Sequence, residues 1–420
     1  MTTPTGDGGN EPQNPLEFLF GGGGSGDLSS ALHQFADLLS WSGGPVNWDL
    51  ARRTALGALT TPDAGAPSDA TESADALRLA DLWLDPVTII PAAATGSAAW
   101  TRRQWLEATL PVWHELVEPI ARRVVEAMNG ALPADAQALA GPLGGMMKQM
   151  GGVMFGAQVG QALGSLAGDV LSSTDVGLPL APHGAAALVP ANIDAFGAGL
   201  DVPTDELRLY VALREAAHQR LFAHVPWLRS HVVDLIAEYA RGIEVDLGGL
   251  EAAMSGLDPS DPAALQEALS GGMFAPTDTP AQKAALERLE TNLALVAGWV
   301  DEVVDAAAAG HLPGSAALRE TMRRRRAEGG PAEQTFAALV GLELRPRRLR
   351  DAAALWGAVR HAHGIDTRDG LWEHPDLLPS ASDLDDPLGF AERVGQDSWD
   401  PQALPGWDTP PADEPPAPTG

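Results

Sequence analysis

The chain has 420 residues, of which 45% are hydrophobic but only 5% aromatic, and this Ala-, Gly- and Leu-rich composition favours a core of packed helices over sheets. Its net charge of −29 argues against nucleic acid and anionic membranes as partners, because both repel an acidic surface. The sequence contains no cysteine, which excludes disulfides, thiolate nucleophiles and Cys-ligated zinc, so any metal must bind to His, Asp or Glu.

The two ends of the chain have the composition of disordered segments. Residues 1–26 are rich in Gly and Pro and show neither the basic nor the apolar region of a signal peptide, so we expect a cytoplasmic protein. Residues 376–420 contain ten acidic residues and one Arg and close in Pro-rich sequence, which is typical of a solvated acidic tail. We therefore predict a mainly α-helical folded region over residues 27–375, long enough for two or three helical subdomains.

Helical periodicity, punctuated by Pro and Gly, runs through this predicted domain. The helices predicted before the central region cover residues 27–41, 47–59, 72–84 and 101–128. Pro111 and Pro119 are expected to bend the last of these. The helices predicted after it cover residues 204–223, 226–241, 261–270, 280–308, 315–326 and 332–360.

Between these two groups, within residues 141–172, glycine recurs at every fourth position, at Gly152, Gly156, Gly160, Gly164 and Gly168. On a helix these positions form a stripe without side chains, which lets a second backbone approach closely. A membrane span is the alternative, but polar residues keep the apolar run short of the roughly 20 residues that a span needs. We favour a buried pair of helices and expect no stable membrane insertion.

The candidate site lies on the two helices predicted within residues 204–241. Thr204 is the predicted N-cap of the first and Gly242 the stop of the second. The first helix contains the sequence Arg214-Glu215-Ala216-Ala217-His218. In the His-Glu-x-x-His motif of zinc peptidases, two imidazoles on one helix face bind zinc and the Glu polarises the metal-bound water. Glu215 and His218 occupy the places of the base and the second ligand, whereas Arg214, which has no lone pair to donate, stands in the place of the first.

Two residues have the spacing of a third zinc ligand. Glu238 lies 20 residues beyond His218 (238 minus 218), as in thermolysin-like enzymes. His224 lies six residues beyond His218, as in metzincins, but Leu221 replaces the Gly that reverses the chain in those enzymes. We prefer Glu238. Because Glu-x-x-His also arises by chance in helices, an ordinary solvated or core-edge face remains the competing interpretation.

Longer stretches of the chain resemble a known family, the predominantly actinobacterial zincin-like hydrolases that are usually labelled zinc-dependent metalloproteases. The resemblance covers roughly residues 28–390 and includes LWLDPVTIIPAA, GGVMFGAQVGQALGSLAGDVLSSTDVGLPL, REAAHQRLFAHVPWLRSHV and FAALVGLELRPRRLRDAAALW. It implies a zincin-like helical core with a small β element, for which residues 187–193 are the best candidate. It also implies Glu215 as general base with His218 and Glu238 as zinc ligands, while Arg214 departs from the pattern at the first ligand.

Two functional hypotheses follow. In the first, the protein is an active zinc-dependent hydrolase that recruits a further ligand, because two protein ligands are fewer than catalytic zinc normally has. In the second, which we favour, Arg214 replaces the metal's charge by pairing with Glu215 or Glu238, and the protein binds a peptide or protein without catalysis. The basic segments at residues 323–326 and 345–350 are interpreted as internal partners of the acidic residues rather than as a nucleic-acid site.

Overall fold

A computed structural model describes residues 43–59, 67–130, 141–242, 244–245, 276–277, 279–327, 335 and 348–396. These residues are mainly α-helical, as predicted. The predicted helices at residues 27–41 and 261–270 lie outside the described residues, as do the N-terminal segment 1–26 and most of the segment 332–347.

Twelve α-helices are described. The first six are α1 Trp48–Ala58, α2 Pro67–Leu84, α3 Arg102–Gly130, α4 Gly141–Asp169, α5 Pro190–Gly197 and α6 Thr204–His224. The others are α7 Leu228–Arg241, α8 Pro280–Ala308, α9 Ser315–Ala327, α10 Leu349–Gly370, α11 Ala381–Asp385 and α12 Pro387–Gln396.

Local chemistry explains the helix ends. Helix α8 has the predicted bounds, because the Thr279 side chain accepts a hydrogen bond from the Gln282 N–H (3.1 Å) and Pro280 suits the first helical position. Helix α7 ends at Gly242, as predicted. The predicted N-cap of α6 was wrong: Pro203 holds the cap position without a side-chain hydrogen bond, and Thr204 is already helical.

The described strands are short. Strand β1 Gly96–Ala99 pairs in parallel with β2 Ala185–Leu188, and β3 Glu244–Val245 pairs antiparallel with β4 Pro276–Thr277. The β element expected at residues 187–193 was therefore placed too late, because Pro190 begins helix α5 instead. Strand β1 was not predicted.

The glycine stripe forms a close helix pair, as we favoured. Helices α1 and α4 pack against each other, and a Cβ on Gly160 would lie 2.5 Å from the Ala51 carbonyl oxygen. A Cβ on Gly156 would lie 2.5 Å from the carbonyl oxygen of Asn47, the N-cap of α1, and one on Gly164 would lie 2.7 Å from the Ala58 Cβ. A Cβ on Gly168 would meet no described atom within 4 Å. No helix within the described residues combines the length and apolar character needed to cross a membrane.

The folded part of the chain extends past residue 375, where the acidic tail was expected to begin. Helices α11 and α12 follow, with Leu384 and Phe390 buried in the core. A capping box at Ser380 and Asp383 starts α11. The high acidic content of this segment concealed its apolar residues, and only residues 397–420 of the expected tail lie outside the described part of the chain.

A buried charge network joins α8 and α10 to the segment after α2. The Arg368 guanidinium bonds Glu302 and donates to Asp369 Oδ1 at 2.7 Å. Asp369 in turn accepts hydrogen bonds from the Thr88 hydroxyl (2.6 Å) and the Trp299 indole N–H (2.8 Å). Every charge in this network has a partner, as burial requires.

Candidate functional site

Helix α6 lies at the centre of the fold and is buried along most of its length. It packs against α2, α5, α8 and β2. Burial demands a partner for each polar group, and this helix buries five polar or charged residues, Arg214, Glu215, His218, Gln219 and Arg220. Arg220 has a structural role, because its guanidinium bonds Asp81 Oδ1 of α2 (3.0 Å) and Oδ1 of Asp85, the residue that follows α2 (2.7 Å).

Arg214 forms a buried ion pair with Asp301 of α8, and not with Glu215 or Glu238 as expected. Its Nη1 lies 2.5 Å from Asp301 Oδ1, and the two residues are 5% and 4% exposed. Burial opposes both charges, but the attraction between them outweighs it, so the pKa of Arg214 is raised and that of Asp301 is lowered. The second carboxylate oxygen of Asp301 accepts a hydrogen bond from Arg323 Nε of α9 at 3.2 Å. Both members of the pair are therefore charged and anchored.

Glu215 is enclosed by hydrogen-bond donors. Its carboxylate accepts from the Ser173 hydroxyl, the Thr174 N–H (3.0 Å) and hydroxyl (2.5 Å), the Ala187 N–H (3.4 Å) and the Gln219 amide (3.0 Å). A carboxylate has about four lone-pair sites, so these donors fill its capacity. Glu215 thus joins α6 to β2 and to the segment after α4, and it has no lone pair left to accept a proton from a water molecule.

His218 presents a lone pair that no group among the described residues bonds. Its Nδ1 lies 2.8 Å from the carbonyl oxygen of Arg214, which can only accept, so Nδ1 carries the proton and Nε2 the lone pair. Nε2 is buried and bonds no described group. Burial, reinforced by the positive charge of Arg214, lowers the pKa of His218 to about 3, and the imidazole is therefore neutral at physiological pH.

The two candidates for the third ligand do not join His218. Glu238 on α7 is 42% exposed and forms an ion pair with Arg288 of α8. His224, in the last turn of α6, is exposed. Within the described part of the chain, no three His, Asp or Glu side chains are grouped closely enough to hold a metal ion.

Asp301 is the residue that the sequence analysis missed at this site. Together with Glu302, it interrupts an otherwise apolar, buried run in α8 that includes Trp299, Val300, Val303 and Val304. A carboxylate in such a run must have a partner inside the protein. This was the available signal, although it does not identify Arg214 as the partner.

The basic helix α9 borders the same site. Arg325 Nη1 lies 2.9 Å from Asp175 Oδ2 in the segment after α4, and Arg326 Nη2 lies 3.2 Å from the Asp175 carbonyl oxygen. Arg325 and Arg326 outweigh the effect of burial and lower the pKa of Asp175. The expected pairing of this basic segment with acidic side chains is confirmed for Arg323, Arg324 and Arg325.

The residues at this site do not fit the zinc that the resemblance implies. Arg214 has no lone pair and its charge repels a cation. Glu215 is saturated, and Glu238 is engaged with Arg288. His218 Nε2 is the one group in the motif with the character of a metal ligand, and a single imidazole is too few donors for zinc.

Comparisons with known proteins are consistent with this fold. A family profile described as zincin-like metallopeptidase matches residues 46–391. Among solved structures, a proposed hydrolase with a novel fold from Chloroflexus aurantiacus matches with a TM-score of 0.60 and 21% sequence identity, over 84% of this chain and 99% of the other. At that identity the match concerns the fold alone. A comparison with curated proteins gave no significant match.

Proposed function

Because the chain belongs to the zincin-like metallopeptidase family, we propose that it is a member without metal-dependent chemistry, which acts by binding a peptide or protein. The observation that carries this proposal is the buried ion pair between Arg214 and Asp301. A fixed guanidinium at the first ligand position supplies a positive charge, but it cannot lower the pKa of a water molecule as zinc does.

Glu215 supports the same conclusion independently. A general base needs a free lone pair within hydrogen-bonding reach of the water it deprotonates. The hydroxyl groups of Ser173 and Thr174, together with backbone and amide N–H groups, already occupy those lone pairs. In this chain Glu215, at the position of the general base, connects α6 to the segment after α4 instead.

The competing function, an active zinc hydrolase with Glu215 as base and His218 and Glu238 as ligands, has one observation in its favour. His218 Nε2 is a buried lone pair that bonds no group in the described part of the chain. The hypothesis would need Glu238 to leave Arg288 and Arg214 to leave the site, and breaking the buried pair alone costs about 3–5 kcal/mol.

Strand β1 is a suitable place for a peptide partner. Within the described residues β1 pairs with one strand, β2, and Gly96 and Ser97 are exposed. The Trp100 N–H bonds the Leu188 carbonyl oxygen (2.8 Å), so strand alternation directs the Ser97 N–H away from β2. A peptide can add to such an edge as a further strand through main-chain hydrogen bonds.

Metal analysis and a peptide-cleavage assay test whether the protein lacks zinc-dependent hydrolysis. Protein purified without chelator and then dialysed against zinc should retain well under one equivalent, and it should not cleave peptide libraries. One tightly held zinc per chain, together with peptide cleavage abolished by Glu215→Gln, would refute the proposal.

Binding is tested separately, by selecting ligands from a displayed peptide library on the folded protein. Selected peptides should bind the Ser97→Ala variant normally and the Ser97→Pro variant weakly, because proline removes the outward N–H. Thermal unfolding shows whether Ser97→Pro remains folded, and backbone hydrogen exchange should show protection at residues 96–99 when peptide is added to the native protein. A selection that yields no binder, or binders that protect only other segments, contradicts this mode of binding.

A further inference from the structure

We infer that the Arg214 guanidinium occupies the position of a metal cation, and that Asp301, not Glu238, stands where a third metal ligand would stand. The inference rests on the proposed metal-free state. It predicts that a single substitution, Arg214→His, creates a site for zinc.

The first support is the arrangement along helix α6. Positions 214 and 218 are four residues apart, so they share one face, and both are buried. His218 is already oriented as a ligand, because the bond from Nδ1 to the Arg214 carbonyl oxygen fixes its ring and leaves the Nε2 lone pair free. That bond involves the backbone of residue 214, so a substitution of the side chain preserves it.

The second support is the position of Asp301. Its Oδ1 contacts the guanidinium of Arg214 at 2.5 Å, so this carboxylate faces whatever cation occupies the space beyond position 214. Its Oδ2 is held by Arg323 of α9, which remains in place when Arg214 is replaced. A ligating carboxylate held by a second residue is the usual arrangement around a protein-bound metal.

The size and the charge of an imidazole with a bound zinc ion are compatible with the space that the Arg214 side chain occupies. An imidazole is shorter than an arginine side chain, and zinc lies about 2.0–2.1 Å beyond the ligating nitrogen. The ion would therefore lie in the space vacated by the guanidinium, where carboxylate oxygens bind zinc at about 2.0–2.2 Å. The substitution removes one positive charge next to Asp301, and zinc supplies two.

Glu238 is excluded as the third donor by its surroundings. It is 42% exposed and bound to Arg288, while His218 is 1% exposed. The sequence spacing suggested Glu238, but the contact between α6 and α8 brings Asp301 to the site instead.

The experiment compares zinc binding of the native protein and of Arg214→His by equilibrium dialysis, followed by metal analysis. We expect about one zinc per chain in the variant, none in the native protein, and a rise in the variant's melting temperature on adding zinc. Cobalt in place of zinc should give the visible absorption of a tetrahedral site. These readouts do not depend on catalysis.

A further substitution in the Arg214→His variant identifies the third zinc ligand. In the Arg214→His background, Asp301→Asn should abolish zinc retention and the thermal shift, whereas Glu238→Gln should leave both unchanged. The inference is overturned if folded Arg214→His retains no zinc, if Glu238→Gln rather than Asp301→Asn removes it, or if the variant is unfolded and zinc does not restore its structure. Zinc in the native protein would contradict the proposed function instead, so the two failures are distinguishable.

Discussion

The close packing of α1 on α4 gives a quantitative prediction for Gly160→Ala. A Cβ at this position would lie 2.5 Å from the Ala51 carbonyl oxygen and 2.6 Å from the Thr54 Cβ. Both are atoms that a rotamer change cannot move away. Restoring an ordinary contact of 3.4 Å requires α1 to move by about 0.9 Å (3.4 minus 2.5). That displacement also strains the hydrogen bond from the Asn47 N–H to the Gly152 carbonyl oxygen (2.9 Å).

Two opposing effects determine how much Gly160→Ala changes the free energy of unfolding. Overpacking of this kind costs about 1–3 kcal/mol, while replacing Gly by Ala within a helix stabilises by about 0.5–1 kcal/mol. Gly151→Ala is the matched control, because Gly151 lies in the same helix and its Cβ would have nothing within 4 Å. The gain in helix propensity cancels between the two variants, so Gly160→Ala should be less stable than Gly151→Ala by about 1–3 kcal/mol.

Urea unfolding followed by far-ultraviolet circular dichroism measures this difference. Gly151→Ala should unfold at the same or a higher urea concentration than the native protein, and Gly160→Ala at a lower concentration than Gly151→Ala. Equal midpoints for the two variants, with unchanged denaturant dependence, would mean that α1 does not contact α4 at Gly160, and the reasoning would be refuted.

The other predictions concern buried charges. His218 has a pKa of about 3 in the folded protein and 6.5 as a free side chain, so the unfolded state takes up the proton first as the pH falls. The free energy of unfolding should therefore decrease below pH 6.5, by about 2 kcal/mol at pH 5. Urea unfolding measured from pH 7.5 to 4.5 should show a smaller decrease for the His218→Gln variant than for the native protein. Asp301→Asn leaves Arg214 buried without its counter-charge and should lower the free energy of unfolding by about 3–5 kcal/mol. Glu238→Gln removes one partner of an exposed pair and should lower it by about 0–1 kcal/mol. Equal decreases in the melting temperature of the two variants would contradict this contrast. Arg220→Met should destabilise by about 1–3 kcal/mol, because the buried Ile90 carbonyl oxygen loses its donor and the partly buried Asp81 loses its counter-charge. An unchanged melting temperature would be incompatible with the observed contacts.

Much of the helical architecture follows from local signals. The bounds of α8 were predictable because Thr279 and Pro280 mark its start and apolar residues recur at helical spacing up to Ala308. The glycine repeat predicted a close helix pair, but it could not identify α1 as the partner, since the contact joins positions about a hundred residues apart. Strand β1 was missed because its sequence, GSAA, contains no β-branched or aromatic residue.

The candidate site was only partly predictable, for a different reason. The shared face of Arg214 and His218 follows from helix geometry, and so does the inability of Arg214 to bind a metal. The identity of the partner of Arg214 does not follow from helix geometry, because Asp301 lies 87 residues away and is brought close by the packing of α6 on α8. Sequence spacing selected Glu238, but spacing does not show which way a neighbouring helix turns its carboxylates.

The adjacent acidic residues of α8 have a mechanical consequence. Asp301 is bound to Arg214 of α6, and Glu302, the next residue, is bound to Arg368 of α10. Successive side chains on a helix point about 100° apart, so rotation or sliding of α8 would break both attachments together. Helix α8 is therefore tied to α6 and to α10 at neighbouring positions, and a shift of α8 against either helix must break a buried ion pair.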